Sequence, residues 1–501
     1  MGQEQETIVV VGAGIAGLGT TMALHKRGQH VVLLDRDPPP PSEGPAAAFE
    51  NWDRRGVAHL RQSHVFIGLL YGLIREEHPR LLEMLLEAGC RELRFEDGLP
   101  VELRPSYRKR PGDEEMTFLS SRRTTLELVM RRYVESLDGV EIRTGRRVRE
   151  VLVDRSGAIP VLQGVKVTDV EGAEQTILGD VVVDACGRST RFPQWLSEHG
   201  VVCQNDEEDA EIQYFTRHYR LLEGQEEPPR GRTPPNGDLT FLKFGVFPGD
   251  NGCFSITLAL PTREAELRRA VKQGESFDRI CSMLPGLAPW TDPQRAAPTS
   301  KVWGMGALHS QWRRYSTEGS PSILGFFAIG DSAIRTNPLY GRGCSSGVVQ
   351  GHKLAQILDE VADPAQRAIQ LEEALENSIR DFFDDMRRQD RQAIRTAKRY
   401  YEALAGAPEP KPTLRKRLAR SFLEDGLIPA SRRSVPVLRA LLRSLHMLEP
   451  PRLVFRDPAL IARIFGVWLI PKALKKDWYP PKPGPNRDVF LRELGLDAET
   501  A

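Results

Sequence analysis

The hydrophobic pattern near the start of the chain predicts a strand, a helix and a second strand in close succession. The predicted strands are the apolar runs 7–11 and 30–34, and the helical pattern between them covers 20–26. Short apolar runs rich in β-branched residues and bounded by turn residues favour strands, whereas apolar residues spaced three and four apart favour a helix. The chain is therefore predicted to begin with a strand–turn–helix–strand unit.

A glycine-rich turn joins the first strand to the helix and reads Gly12-x-Gly14-x-x-Gly17. The first glycine allows a tight bend, the second lets the backbone approach a pyrophosphate, and the third lets helix and strand pack closely. Asp35 ends the second strand, where a carboxylate can accept hydrogen bonds from ribose hydroxyls. A diphosphate can bind at the free N–H groups where the helix starts. This unit therefore predicts dinucleotide binding, but it does not by itself distinguish FAD from NAD.

The pattern further predicts helices, a β-hairpin and more strands up to about residue 200. These are a helical stretch over 69–89 broken by Pro79, a helix from Arg123 to about Leu137, strands at 139–143 and 147–151, a hairpin of 164–169 with 174–178, and a strand at 180–184. Arg123 in the first helical turn is interpreted as a contact to cofactor phosphates, or alternatively as a solvated helix arginine. His64 is a candidate cofactor or substrate contact, with an ordinary surface or core histidine as the alternative.

From about residue 201 to 302 the runs become β-rich or alternating and are separated by turns. This pattern predicts a mostly antiparallel sheet with a helix over 264–281, a layer that can enclose an apolar pocket.

One run of that sheet carries candidate substrate contacts. Period-two alternation places Tyr214, Thr216 and His218 on one face, and Arg217 and Tyr219 on the other. The alternative is that all of them are ordinary sheet residues, and no catalytic base is identified among them.

A second glycine-bearing turn lies some 300 residues after the first. A strand at 326–329 ends in Gly330-Asp331, and the loop Asn337-Pro338-x-Tyr340-Gly341-x-Gly343 opens a helix that continues through Leu358. An aspartate at a strand end can bind a ribityl hydroxyl. N–H groups at a helix start can meet the pyrimidine edge of a flavin, where negative charge grows on reduction. Together the two turns indicate FAD.

With these motifs the chain resembles the FAD-dependent class A flavoprotein monooxygenases, the group that contains para-hydroxybenzoate hydroxylase. Within that group it is most similar to the bacterial epoxidase and hydroxylase branch that includes polyether epoxidases. Further motifs that carry the resemblance are Arg123-x-x-Leu126-Glu127, Asp180-x-x-x-Asp184-Ala185-x-Gly187-Arg188, and the segment from Gly56 to His64. The cofactor-binding residues that the resemblance implies are Gly12, Gly14, Ala16, Gly17, Asp35, Arg36, Arg123, Val148, Asp331, Pro338, Gly341, Gly343 and Cys344.

The sequence departs from the family pattern at three places. The family's Gly-Asp-Ala motif reads Gly330-Asp331-Ser332 here, so a serine replaces the alanine. In addition, Ala58-His59 replaces the family's Pro-Gln. The Asp-Gly pair that helps class A enzymes use NAD(P)H corresponds here to the segment Asp184-Ala185-Cys186-Gly187. Within that segment, Cys186 is interpreted as a packing residue rather than a nucleophile. The lysine-bearing loop and the Trp-x-Trp-x-Ile-Pro motif of flavin halogenases are absent from the sequence, which argues against halogenation.

The resemblance implies a fold and a reaction. The fold class is α/β, with a Rossmann-like FAD-binding domain (a parallel sheet with a β-hairpin insert), a mostly antiparallel β substrate domain and a C-terminal helical region. The predicted boundaries are 1–200 with an insertion at about 50–115, then 201–302, 303–365 and 366–501. The reaction would insert one atom of O2 into an apolar organic substrate, by epoxidation or hydroxylation, through a flavin C4a-hydroperoxide, with NAD(P)H or a separate reductase as electron donor.

Two other functions stay open from the sequence. One is an FAD-dependent dehydrogenase or a double-bond reductase of the geranylgeranyl reductase type, which shares the architecture. The other is a non-catalytic FAD-binding protein.

Composition restricts partners and location. The chain has 501 residues and a net charge of +1, so no bulk field favours nucleic acid. Its six cysteines are scattered, without a C-x-x-C pair, which predicts free thiols, no metal site and a cytoplasmic location. Near the C-terminus the apolar stretch 453–470 is followed by a basic flank at 471–476, a pattern that can lie on a membrane surface. The alternative is a helix packed on the FAD-binding domain.

Overall fold

A five-stranded parallel sheet, here called the nucleotide sheet, forms the central layer of the fold. The structure is a computed structural model and describes residues 6–317, 319–408 and 412–496. In spatial order the strands of this sheet are Phe326–Ala328, Val181–Asp184, Thr7–Val11, His30–Leu34 and Val140–Arg143. Both strands predicted at the start of the chain are confirmed. The strand at 326–328 returns to this sheet after a long excursion, which brings the two glycine-bearing turns to its carboxyl edge.

Two helices pack against each other beside this sheet at close range. They are Ile15–Lys26 and Gly343–Glu360. A Cβ atom at Gly351 would lie 2.2 Å from Thr20 Oγ1, and one at Gly19 would lie 2.9 Å from a methyl group of Val348. Glycine at these positions therefore lets the helix that follows the first turn contact the helix that follows the second.

A three-stranded antiparallel sheet carries the predicted β-hairpin. Its strands are Arg147–Asp154, Val161–Thr168 and Glu174–Leu178. The hairpin prediction is confirmed, and Gly172 at its turn has a φ of 89°, a conformation that favours glycine.

The predicted antiparallel layer is confirmed as a six-stranded sheet, here called the substrate sheet. Its strands are Asn236–Asp238, Lys243–Pro248, Cys253–Pro261, Ile212–Leu221, Ala296–Pro298 and Trp303–Met305. The single helix predicted over 264–281 is wrong, because two short helices, Ala265–Ala270 and Gly274–Ser282, stand there. The chain turns between them so that Gly274 O can accept a hydrogen bond from Arg217 at 2.8 Å.

Smaller strands complete the β structure. They are Gln204–Asp209, His309–Arg314 and Ile334–Arg335 in one sheet, Arg91–Leu93 with Phe118–Ser120, and Ser316–Thr317 with Ser320–Pro321.

Among the remaining helices up to residue 404, those at 68–77, 79–87 and 123–135 match the predicted ones, whereas Pro45–Asn51 and Phe192–Glu198 were not predicted. The full set is Pro45–Asn51, Gly68–Glu77, Pro79–Glu87, Arg123–Glu135, Phe192–Glu198 and the long helix Pro364–Leu404. The break predicted at Pro79 is confirmed, since proline begins the second of two helices there.

Short helices make up most of the rest of the chain. They are Leu414–Ser421, the π-helical turn Phe422–Leu427, Ile428–Ser431, Val435–Leu445, Pro458–Leu469 and Arg487–Glu493. Those between 422 and 467 enclose a small core around Ala430, Val437, Leu460 and Ile464. The predicted C-terminal region also includes residues 409–411 and 497–501, which lie outside the described residues. Within the described ranges, no helix has both the length and the apolar character needed to cross a bilayer.

Candidate functional site

The first glycine-rich turn leaves open space where a cofactor would approach. Gly12 has a φ of 106°, and a Cβ there would lie 2.6 Å from the Ala185 carbonyl oxygen. At Gly17 a Cβ would lie 1.8 Å from the Gly12 carbonyl oxygen, so both positions exclude a side chain. Gly14 precedes the first helical residue, and a Cβ there would meet nothing within 4 Å. The protein therefore crowds the first and third glycines but not the second.

The structure brings the two glycine-bearing turns together at Ala16. A Cβ at Gly330 would lie 2.7 Å from the Ala16 methyl group, and one at Gly347 would lie 3.1 Å from it. Residues some 300 positions apart therefore line one cradle at the carboxyl edge of the nucleotide sheet, the edge at which open α/β sheets bind ligands.

A buried arginine that the sequence prediction missed organises one end of the cradle. Arg54 lies 3.1 Å from a carboxylate oxygen of Asp35, 3.1 Å from one of Asp37 and 2.9 Å from one of Glu127. It also donates a hydrogen bond to the Ala13 carbonyl oxygen at 3.1 Å. The available signal was weak, because Arg54 precedes another arginine and only the fold distinguishes the two.

Burial and charge pairing act in opposite directions at this end. Burial raises the pKa of Asp35, while Arg54 acts to lower it. Burial alone would lower the pKa of Arg54, but Glu127, Asp35 and Asp37 together raise it. The guanidinium therefore stays charged. One oxygen of Asp35 contacts Arg54, and the other accepts a hydrogen bond from the Asp37 backbone N–H at 3.1 Å.

Arg36 and Val148 lie beside Asp35. The Arg36 side chain is 37% exposed and donates to the Arg55 carbonyl oxygen at 3.3 Å. Val148 follows closely on Arg146, whose backbone N–H donates to the Asp35 carbonyl oxygen at 2.9 Å. The first strand of the hairpin sheet therefore begins next to the acid that ends the second strand of the nucleotide sheet.

Arg123 is buried, so the alternative of a solvated helix arginine is wrong. Its Nε donates to Glu127 at 3.2 Å, and its guanidinium also lies 3.1 Å from His64 Nε2. Because a guanidinium can only donate, His64 Nε2 must accept, which leaves Nδ1 protonated to donate to the Gln62 carbonyl oxygen at 2.9 Å. Burial, followed by the charge of Arg123, lowers the pKa of His64 to about 3. His64 is thus a neutral imidazole with both nitrogens engaged.

His59, one of the departures from the family pattern, faces the same charges. Burial and the nearby Arg123 lower its pKa well below the usual range. Its ring lies 5.8 Å from that of His64, and its buried Nδ1 has no hydrogen-bond partner among the described residues. His59 is therefore a further candidate for cofactor contact, absent from the predicted set.

Asp331 lies at the second turn among arginines. Burial raises the pKa of its carboxyl, and Arg123, Arg335 and Arg188 act in the opposite direction. A Cβ at Gly343 would be 3.9 Å from its carboxylate and 3.5 Å from Thr336 Oγ1. That threonine hydroxyl is buried without a partner in the part of the chain that the structure describes. A carboxylate and a free hydroxyl thus meet at the start of the second helix.

Ser332, a second departure, links two turns of the cradle. Its hydroxyl donates to Asp184 Oδ1 at 3.0 Å and accepts from the Gly187 N–H at 2.8 Å. The neighbouring Cys186 is a packing residue, as predicted, because burial raises the pKa of its thiol well above the usual range. The serine therefore ties the turn after strand Val181–Asp184 to the Gly-Asp turn.

The loop from Pro338 to Gly343 is held from outside by the long helix. Asn337 Nδ2 and the Tyr340 hydroxyl both donate to Asp390 Oδ1 at 2.9 Å. Arg342 donates to the Phe382 carbonyl oxygen at 2.7 Å. Gly341 adopts a φ of 65°, as its place between the short helical turn and the next helix requires.

Asp390 carries an unusual carboxyl. Burial raises its pKa to about 6, and its Oδ2 is buried without a hydrogen-bond partner among the described residues. Cys344 lies at the start of the helix that follows the loop. Burial raises the pKa of its thiol to about 11, so the thiol is protonated at neutral pH.

The predicted face alternation in the substrate sheet is confirmed. The Tyr214 hydroxyl donates to Asn337 Oδ1 at 2.5 Å, Thr216 donates to Gln62 at 2.7 Å, and His218 Nε2 lies 3.0 Å from the Arg61 carbonyl oxygen. On the opposite face, Arg217 and Tyr219 both contact Asp278.

These contacts indicate that both faces of this strand serve the fold. Tyr214 joins the substrate sheet to the loop of the cradle, and Thr216 and His218 join it to the segment before His64. A hydroxyl chain of Ser63, Ser255 and Thr257, with O–O distances of 2.7 and 2.8 Å, strengthens the same junction. The substrate sheet therefore closes directly over the cradle.

The residues that line the cradle suit a flavin dinucleotide. The open side of Gly14 at a helix start suits a diphosphate, and Asp35 at the end of the second strand suits a ribose hydroxyl. Asp331, together with the Thr336 hydroxyl that has no partner among the described residues, suits a hydroxylated linker.

Comparison with known proteins agrees with this fit. Residues 7–256 match the protein family described as FAD dependent oxidoreductase. Protein Rv3254 of Mycobacterium tuberculosis is 27% identical over 386 residues, covering 72% of this chain and 74% of that protein.

Solved structures show the same fold. The flavin-dependent brominase Bmp2 superposes with a TM-score of 0.56 at 17% identity, covering 92% of this chain and 98% of its own. The p-nitrophenol 4-monooxygenase PnpA from Pseudomonas putida gives 0.54 at 18% identity, covering 89% and 100%. The chain therefore contains an FAD-dependent oxidoreductase domain, and its fold is that of the flavin-dependent enzymes Bmp2 and PnpA.

Proposed function

We propose that the protein is an FAD-dependent monooxygenase that transfers one oxygen atom of O2 to an apolar organic substrate. The observation that carries the proposal is the convergence of the two glycine-bearing turns on Ala16 beneath the substrate sheet. That arrangement leaves one cradle for a flavin dinucleotide and covers its flavin end with a second layer. Halogenation is not favoured, although Bmp2 shares the fold, because the sequence lacks the halogenase motifs.

The proposed cofactor contacts fall into two groups. Toward the adenosine and diphosphate they are Gly12, Gly14, Ala16, Gly17, Asp35, Arg36, Arg123 and Val148. Toward the flavin they are Asp331, Pro338, Gly341, Gly343 and Cys344, with His59 added from the structure. The division into an FAD-binding domain in two parts, a substrate domain and a C-terminal helical region belongs to the same proposal.

The protein's own part in the reaction is to bind, orient and exclude water. Bound FAD supplies the activation of O2 by electrons from a nicotinamide donor. The N–H groups after Arg342 would place positive charge where a flavin gains negative charge on reduction, and Arg123 would place positive charge toward the diphosphate. The hydroxyl chain at Ser63 closes the seam between the substrate sheet and the cradle, which limits water entry. His64, held neutral, fixes the Arg123 guanidinium without adding charge.

The electron donor, location and partners complete the proposal. NAD(P)H reduces the cofactor directly or through a separate reductase, in a cytoplasmic enzyme that contacts a membrane peripherally through its C-terminal helices. The substrate is a small apolar molecule, for which either epoxidation or hydroxylation is consistent with the site.

The test begins with FAD-reconstituted protein under anaerobic conditions. NADPH, or reduced ferredoxin with a reductase, should bleach the flavin absorbance. Admission of ¹⁸O2 should then restore the colour rapidly and label a product from a panel of alkenes and phenols. The matched variants are Asp331→Asn, expected to lose tight FAD binding, and Asp359→Asn, an exposed carboxyl of the same region, expected to behave as the parent protein.

Two results would overturn the proposal. Slow reoxidation by O2 with fast electron transfer to a dye would indicate a dehydrogenase or double-bond reductase. Rapid reoxidation with no ¹⁸O in any product of the panel would also contradict monooxygenation.

A further inference from the structure

The helix Pro458–Leu469 exposes an apolar face to solvent. Leu460 and Ile464 are its buried residues, and they pack on Ala430 and Val437 of the neighbouring C-terminal helices. Packing on the FAD-binding domain, the alternative expected from the sequence, is therefore wrong for this helix. Its opposite side carries Ile461, Phe465 and Leu469, which recur every four residues and so lie on one face.

Exposed apolar side chains are concentrated in this part of the molecule. Of the 19 large apolar residues that are exposed in the described ranges, 11 lie between residues 412 and 480. Those outside Pro458–Leu469 are Leu414, Leu418, Leu423, Ile428, Leu445, Leu453, Phe455 and Leu474. Scattered exposed apolar residues are normal, but such a concentration on one subregion marks an interaction surface.

The same segment is strongly basic. Residues 412–480 contain 14 Lys and Arg against 5 Asp and Glu, a net charge of +9 in a chain whose total is +1. Six of these cations have no carboxylate, carbonyl or aromatic-ring partner for their side chains among the described residues: Arg415, Lys416, Arg417, Arg456, Arg463 and Lys476. Each is adjacent or close in sequence to one of the exposed apolar residues.

We infer that this basic apolar face, defined as the exposed apolar residues and the six unpaired cations of 412–480, docks on an anionic lipid surface. Apolar side chains interleaved with Lys and Arg on short helices suit the boundary between lipid headgroups and acyl chains. A second copy of the chain fits less well, because it would bring the same positive charge against this face. The cytoplasmic leaflet, which carries anionic lipids, offers both the charge and the apolar phase that this face requires.

The inference rests on the proposed function and gives its peripheral membrane contact a defined surface. An apolar substrate partitions into lipid, so contact with a membrane would bring the enzyme to its substrate. The test of the membrane inference needs no substrate and no turnover. A failure of that inference would therefore not refute the monooxygenase proposal, and a failure of the proposal would not refute the inference.

The experiment is flotation of the FAD-reconstituted full chain with vesicles. Phosphatidylglycerol–phosphatidylcholine vesicles should carry the protein upward, whereas phosphatidylcholine vesicles alone should carry much less. Binding should fall as salt is raised, because the surface potential is screened within about 8 Å at physiological ionic strength.

Two pairs of variants separate the apolar from the basic contribution. Phe465→Ser combined with Leu469→Ser should reduce binding about tenfold or more, and Leu178→Ser, an exposed leucine of the hairpin sheet, is its control. Arg415→Gln with Lys416→Gln and Arg417→Gln should reduce binding and its salt dependence, and Arg55→Gln is its control. An unchanged flavin absorbance spectrum and melting temperature show that each variant is folded.

Two outcomes would overturn the inference. One is the absence of binding to anionic vesicles, or binding that the control variants weaken as much as the test variants. The other is a lipid-independent dimer, seen by light scattering, that Phe465→Ser dissociates, which would assign the face to a second copy.

Discussion

The two ends of the cofactor cradle are held by different physical means. At the dinucleotide end, Arg54 contacts three buried carboxylates, so ion pairs hold that end together. At the loop end, Asn337 and Tyr340 donate neutral hydrogen bonds to one carboxyl of the long helix, Asp390. Both ends depend on contacts that are distant in sequence. Arg54 lies 41 residues from Ala13 and also pairs with Glu127 on a later helix, and the loop contacts a helix 40 to 53 residues away.

The difference in physical means indicates how each end will fail. A buried ion network fails when one member is removed, because the others are left as unpaired charges. A loop held mainly by hydrogen bonds fails more gradually, and near pH 6 it responds to pH through Asp390. The two ends can therefore be perturbed separately, and four substitutions do so in order of decreasing effect.

The largest effect is expected from Arg54→Met. It leaves the carboxylates of Asp35, Asp37 and Glu127 buried without their shared cation, at a cost of about 3–5 kcal/mol in the free energy of unfolding. Urea denaturation measures the loss. Arg55→Met is the matched control, since the Arg55 side chain is 86% exposed, and its loss should be under about 0.5 kcal/mol. Equal losses for the two variants would refute the central role of Arg54.

Gly17→Ala should be nearly as damaging. The added Cβ would lie 1.8 Å from the Gly12 carbonyl oxygen, so the turn must move, with a loss of about 3 kcal/mol by analogy with severe overpacking. Gly14→Ala has room for its Cβ in the protein alone. It should keep the stability of the parent and lose FAD affinity, measured by flavin fluorescence. A stable Gly17→Ala protein, or unchanged affinity in Gly14→Ala, would contradict the assignment of the turn.

Asp390→Asn tests the loop end through pH. Folding raises the pKa of Asp390 from 3.8 to about 6, so the folded state binds the proton more tightly than the unfolded state. Its contribution to stability is therefore greatest below about pH 4 and is lost as pH rises to about 6 and beyond. This loss is on the order of 2–3 kcal/mol.

The variant should lack this loss, so its stability relative to the parent protein should rise across that pH interval. Chemical denaturation of both proteins at a series of pH values gives the difference. Asp384→Asn, an exposed carboxyl of the same helix, should show no such trend. A flat difference for Asp390→Asn would mean that this carboxyl has an ordinary pKa in the folded protein.

The smallest effect is expected from Cys344→Ser. Burial raises the pKa of the thiol to about 11, so it is neither a thiolate nor a nucleophile at neutral pH. FAD affinity should change by less than about twofold, if the helix start contributes through its backbone N–H groups. A large loss of affinity would show that the side chain itself contacts the cofactor.

Much of the fold was predictable because its signals are local. The strands 7–11 and 30–34, the break at Pro79 and the hairpin at Gly172 each follow from short-range periodicity or from one proline or glycine. The single helix predicted over 264–281 was wrong, because the chain breaks between Ala270 and Gly274, where Arg217, distant in sequence, donates a hydrogen bond to the Gly274 carbonyl oxygen. Periodicity within a segment carries no information about such a contact.

The sequence alone determined that this chain holds two glycine-bearing turns, an acid at the end of its second strand, and an apolar basic stretch near its C-terminus. Only the tertiary structure decided that Arg54 is the hub of a buried ion network and that Asp390 holds the loop. It also showed that His59 and Thr336 each have a buried polar atom without a partner among the described residues. The same structure showed which side of Pro458–Leu469 is exposed. The physical reason is that spacing along the chain encodes local geometry, whereas burial and charge pairing depend on which distant segments meet.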